Sequence, residues 1–161
     1  MIEESINHLN LPLQSLKKIT INLNGTASKK IMITSCWNLN ETVAHLIGWA
    51  EQFRDEIKFL LKTKDQTFPW HISSKNNWTD FNDKNVEKYQ SSDLWELINI
   101  IEQINEEIIN MIRENKDTDQ LNIKHEIRYY GKFSPVTITQ MIKMKAHHEW
   151  EHIKQIKEKM Y

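Results

Sequence analysis

Apolar residues recur along most of this chain at spacings of three and four, the period of a helix with one buried stripe. From residue 2 to about 23, Ile6, Leu9, Leu13, Leu16 and Ile19 or Thr20 trace such a stripe, with Pro12 inside it. Proline has no N–H to donate and crowds the preceding turn, so a kink or a short initial turn is expected there. The stretch "NGTASKK" reads as the loop that ends this helix. A second helix is signalled by "NLNETVAHLIGWAEQFRDEIKFLLK", where Asn38 and Glu41 have capping-box spacing, and it ends near Thr63. The third long helix starts at Ser92 or Asp93, and Leu94, Leu97, Ile98, Ile101, Ile104, Ile108, Met111 and Ile112 carry it to about Glu114. The last begins after Pro135, with Thr137 and Gln140 as a second capping box, and continues close to Tyr161.

Two stretches lack this period. "DQTFPWHISSKNNWTDFNDKNVEKYQ" mixes aromatic residues with turn formers and predicts a packed loop followed by a short helix at about 80–89. "LNIKHEIRYYGKFSP" alternates loosely and reads as extended, although one short strand cannot make a sheet alone. The pattern therefore predicts an all-α fold, a four-helix bundle with a short extra helix between its second and third helices, as a single domain over residues 1–161. Only three glycines and three prolines are present, too few for the tight turns of a β-sandwich or barrel.

Charge narrows the partners. With 21 basic and 22 acidic residues, no long-range field draws the chain to nucleic acid or to an anionic membrane, so a small-molecule or protein partner is expected, a small-molecule substrate first. The start "MIEESINHLNLPLQ" lacks the basic and apolar blocks of a secretory signal, and no apolar run reaches the roughly 20 residues that span a bilayer. A soluble, cytoplasmic protein is the expectation. The single cysteine, Cys36, has no visible group beside it to lower its pKa and reads as a packing residue.

Candidate chemistry lies near the end of the chain, where "HEWEH" matches His-Glu-x-x-His, the zinc-binding pattern of many metalloproteases. His148 and His152 are one helical turn apart and project from one side, as two metal ligands must. His147 and Glu151 have the same spacing, so spacing alone does not choose. On a projection of about 100° per residue, the apolar stripe of the last helix centres near Ile142, Ala146, Ile153 and Met160. His148 and His152 fall on its flank beside Met141, while His147 and Glu151 fall on the other flank or the back. In the second helix the stripe runs through Val43, Leu46, Ala50, Phe53 and Ile57, and His45 sits on a similar flank near Trp49, Gln52 and Glu56. Glu149 points toward the apolar side, where an unpaired carboxylate is costly.

A peptidase would need a third ligand and a glutamate acting as general base on water. The "IKQIKEKMY" that follows His152 holds no histidine, and Glu158 points elsewhere. A third ligand must therefore come from upstream, with His45 leading and His8, His71 and His125 behind it.

"WNLNETVAHLIGWAEQF" resembles the second-helix signature of the DinB-like (DinB/YfiT) superfamily, and "RYYGKFSPVTITQMIKMKAHHEWEHIKQI" is similar to its closing signature. The middle, "FNDKNVEKYQSSDLWELINIIEQI", resembles the family's short helix leading into the third. The resemblance covers essentially the whole chain. It implies a four-helix bundle in which one histidine of the second helix and two of the last bind a divalent metal, often zinc or nickel; by position these are His45, His148 and His152. It also implies, for some members, thiol-dependent transfer or detoxification using bacillithiol, mycothiol or glutathione, and dimerisation is a family expectation. The similar ClbS/DfsB branch protects against a reactive metabolite without depending on the same triad.

Two functions are thus in play. One is a metal-dependent enzyme that activates a low-molecular-weight thiol, with Trp49, Gln52, Glu56 and Glu149 assigned to the pocket or to support of the ligands. The other is a non-enzymatic binder that traps an apolar molecule under an aromatic loop holding Trp70, Trp78 and Phe81. A metal that only staples the two helices would instead show a closed coordination shell.

Overall fold

A computed structural model describes residues 2–23, 25–63, 75–129 and 132–161. Its helices are α1 (Ile2–Thr20), α2 (Gly25–Ser28), α3 (Leu39–Lys62), α4 (Lys75–Lys88), α5 (Leu94–Glu114) and α6 (Ile138–Met160). The four long ones form a closed ring, α1 packing against α6, α6 against α3, α3 against α5 and α5 against α1. Their apolar stripes meet inside it, with Leu9, Leu39, Ile47, Ile57, Leu97, Ile98, Ile108, Met141 and Ile156 almost wholly buried. This is the four-helix bundle that the spacing predicts. Among the described residues no helix is long and apolar enough to cross a membrane.

Capping fixes where three of these helices start. Asn38 accepts from the Glu41 N–H while Glu41 accepts from the Asn38 N–H, and Asp93 with Glu96 and Thr137 with Gln140 repeat the arrangement. Each pair satisfies two backbone donors that the first turn leaves without an acceptor. Pro12 does not end α1, which runs continuously through it but stops at Thr20, short of the expected 23. Thr20 closes that end by donating its hydroxyl to the Leu16 carbonyl, 2.8 Å away.

Three details depart from the expected pattern. "GTAS" forms the one-turn helix α2, not loop. The short helix before α5 starts at Lys75, so Trp78 and Phe81 are helical positions and not loop residues; Trp70 and His71 lie outside the described residues. The extended stretch holds two strands, β1 (His125–Tyr129) and β2 (Lys132–Val136), preceded by a 3-10 turn at Asp119–Asn122. They pair antiparallel, His125 opposite Val136 and Tyr129 opposite Lys132, so the segment supplies its own partner by folding back.

The connection α4 lies against α3. Gly48 permits the approach: a Cβ there would fall 2.1 Å from the Asn85 Cγ and 2.6 Å from its Cβ, far inside van der Waals contact. Beyond Gly48, Glu51 accepts from Lys88 at 2.9 Å and from the Tyr89 hydroxyl at 2.8 Å, tying down the C-terminal end of α4.

Candidate metal centre

Facing flanks of α3 and α6 bring His45, His148 and His152 together, with one ring nitrogen of each inside a group whose atoms all lie within 4.8 Å of one another. His45 Nε2 and His148 Nε2 are 3.3 Å apart. Two nitrogens each about 2.0 to 2.1 Å from one tetrahedral cation would be separated by about 3.3 Å, so this pair already has ligand spacing. His152 Nδ1 sits 3.0 Å from the Gln155 Oε1, a contact that orients the ring. The three ring centroids lie 4.9 to 5.2 Å apart in edge-on arrangements.

The rings are set up as neutral imidazoles, the ligating form. Burial, then the charges of His148 and His152, hold the His45 pKa down at about 3. Burial is again the first cause at His148, lowered to about 3, followed by His152, Lys145 and His147. His152 is lowered by burial, against opposing effects of Gln155 and Glu151. Such a cluster repels a proton yet offers several lone pairs. The donor set therefore fits a divalent, nitrogen-preferring cation such as zinc or nickel.

Trp37 covers one side, its ring 4.7 Å from that of His45 at 33°. The loop ahead of α3 sets it there: Thr34 Oγ1 accepts from the Cys36 and Trp37 N–H groups, and Ile33 N–H donates to the Trp37 carbonyl. Cys36 itself is exposed. Beside His45 and His148 a pocket of about 240 Å³ opens, lined also by Trp49, Phe53, Trp78, Asn82 and Met144. Trp49 donates its Nε1–H to Asn82 Oδ1 at 3.0 Å, and its ring meets Trp78 and Phe81 edge-on at 5.5 and 5.0 Å. A larger groove of about 460 Å³ between α1 and α5, lined by residues such as Lys17, Glu102 and Arg113, is remote from this chemistry.

The residues expected around the histidines separate. Trp49 forms a pocket wall, whereas Gln52 and Glu56 are buried on α3 and Glu149 on α6, none of them lining the pocket. Glu149 Oε1 accepts from Lys145 Nζ at 2.5 Å. That ammonium also donates to Asn105 Oδ1 at 2.8 Å, and Asn105 Nδ2 donates to the Leu9 carbonyl at 2.9 Å. Glu149 is thus held by a buried ion pair and is not one of the clustered ligand candidates. His147 and Glu151 are exposed; His8 lies 3.6 Å from Glu4, and His125 is buried on β1, so neither joins the trio. The spacing argument passed over Phe53, Asn82, Met144 and Gln155. Helical offsets were the available signal: Met144 is four before His148, and Phe53 is eight beyond His45.

The sequence profile of the DinB superfamily matches residues 10–156. The chain belongs to the DinB superfamily. No curated protein sequence matches it. Solved structures similar to this DinB chain include the mycothiol-dependent maleylpyruvate isomerase, at TM-score 0.73 and 12% identity over 97% of the chain. The chain spans 60% of that isomerase. The colibactin self-resistance protein ClbS, solved with a dsDNA, is similar at TM-score 0.74 and 19% identity, over 98% of this chain and 94% of ClbS. YfiT from Bacillus subtilis, described as a probable metal-dependent hydrolase with an unusual four-helix bundle topology, is similar at TM-score 0.72 and 14% identity, over 98% of this chain and 84% of YfiT. At these identities the likeness is one of fold.

Proposed function

We propose that this DinB protein is a metal-dependent enzyme that brings a low-molecular-weight thiol to an electrophilic small molecule, as a thiol transferase or a detoxification enzyme. The observation that carries the reading is the convergence of three neutral imidazoles from α3 and α6, two of which, His45 and His148, also line a pocket. His45, His148 and His152 would hold the cation, Gln155 would keep His152 oriented, and Trp37 would shield the His45 side from water. A divalent cation bound there supplies Lewis acidity that favours the thiolate, the nucleophilic form of a thiol.

A thiol suits the site better than water. Free thiols titrate near 8.5, water near 15.7, so a thiol needs less help to ionise. No carboxylate lines the pocket among its described residues, and the Glu149 that a peptidase would use as base is paired with Lys145. A second reading, a non-enzymatic small-molecule binder of the ClbS kind, draws support from the walls of Trp49, Phe53 and Trp78.

Elemental analysis of protein purified without a nickel column tests the metal. Stoichiometric zinc or nickel, lost in His45→Ala, is expected, and metal content indifferent to that change would refute the triad. Thiol consumption is then assayed with bacillithiol, mycothiol and glutathione against a generic electrophile. Absence of turnover with every thiol, alongside tight binding of an apolar ligand, would favour the binder.

A further inference from the structure

The pocket beside the histidines has a chemistry of its own, set by residues that hold no metal. We propose that it selects an uncharged aromatic or apolar group as the part of the substrate carried to the metal centre, an inference that rests on the metal-centre reading above. Its walls are Trp49, Phe53, Trp78 and Met144, with the Asn82 amide as the polar side chain apart from the histidines. No ammonium, guanidinium or carboxylate lines it among the described residues. A charged group entering would lose hydration and find no opposite charge, whereas a ring would exchange water for aromatic and thioether contacts.

Size and rigidity point the same way. At about 240 Å³ the space is smaller than the roughly 300 to 1,000 Å³ of pockets for drug-sized ligands, so it suits one ring system with the rest of the molecule outside. The Trp49 indole is pinned by its bond to Asn82 and by edge-on contacts with Trp78 and Phe81, so this wall is formed before a ligand arrives. Met144, on the opposite helix and 37% exposed, is the adaptable part of the rim.

The test uses the full chain. With zinc added, calorimetry compares acetohydroxamate, benzohydroxamate and 4-carboxybenzohydroxamate, which share one chelating head. The bare ring should bind about tenfold to a hundredfold more tightly than the methyl, as expected for burial of a phenyl group, and the carboxylate should lose most of that gain. Equal affinities would overturn the proposal while leaving the metal centre standing. In metal-free protein, benzyl alcohol and benzoate are titrated against the indole N–H signals. Preference for the alcohol supports the pocket even if zinc fails to bind, and preference for benzoate overturns it. Met144→Arg, a change at an exposed rim that spares the fold, should shift the preference toward benzoate. A variant that folds and retains the wild-type preference would also overturn the assignment.

Discussion

Helix α6 carries two polar pairs of identical spacing, Lys145 with Glu149 and His148 with His152, and they behave as opposites. The first is almost fully buried and ion-paired: the Lys145 ammonium donates to Glu149 and to Asn105 of α5, and Asn105 donates to a carbonyl of α1. The second is half-buried and open, with α3 presenting a third imidazole in place of a carboxylate partner. Residues one turn apart on one helix thus become a structural pin or a ligand site according to what the facing helices present. The pin rigidifies the scaffold that holds the open pair, and its cation helps keep His148 neutral.

The comparison can be broken most severely at the closed pair. Lys145→Ala leaves a buried carboxylate unpaired and should cost about 3 to 5 kcal/mol in denaturant unfolding, with zinc stoichiometry unchanged in whatever remains folded. Replacing both residues by apolar ones, Lys145→Met with Glu149→Leu, should recover most of the loss; failure to do so would mean the pair has a use beyond packing. At the open pair, zinc at about 100 times its dissociation constant should raise stability by about 2.7 kcal/mol, and the gain should vanish in His45→Ala and His148→Ala. An undiminished thermal shift in those variants would place the metal elsewhere.

Gly48→Ala should cost about 1 to 3 kcal/mol, because its methyl collides with Asn85, and Asn85→Ala in the same chain should restore part of it. Zinc stoichiometry should stay constant throughout. The smallest effect is the onset of acid destabilisation in the metal-free protein. The buried rings of His45 and His148 resist protonation down to about 3 while the unfolded chain takes up protons near 6.5, so the unfolded state binds more protons between these values and stability falls as pH falls. From pH 7 to 6 this amounts to under about 1 kcal/mol per histidine. A stability curve for His45→Ala as steep as the wild type would rule the histidine out as its source.

The long helices were legible because burial imposes the same period on every turn, and Asn38, Thr137 and the run from Leu94 to Ile112 mark starts and stripe without outside help. His45 was legible as a flank position, but its meeting with His148 depends on which helices are neighbours, which a projection of one helix does not contain. The hairpin was half legible: alternation was visible in "LNIKHEIRYYGKFSP", while its reversal into two paired strands was not. Glu149 was read correctly as turned inward, yet its partner Lys145 looked like any surface lysine. The pocket wall was hidden because Trp78 and Asn82 lie on a helix whose mean hydropathy is low and whose apolar positions are few, and because Gly48 permits the approach only by lacking a side chain.

That wall has a consequence for how such a protein can diverge. The three histidines sit on helices whose other faces build the bundle interior, so their positions are inherited with the fold itself. Helix α4 is hung on the outside, chiefly against α3, by Gly48, Asn85 and the bonds at Glu51. Substitutions along α4 can reshape the entrance while the ligand geometry stays in place. On the proposed function, substrate preference is therefore the trait most free to drift between relatives that share these histidines, and α4 is where a directed library should be placed to change it.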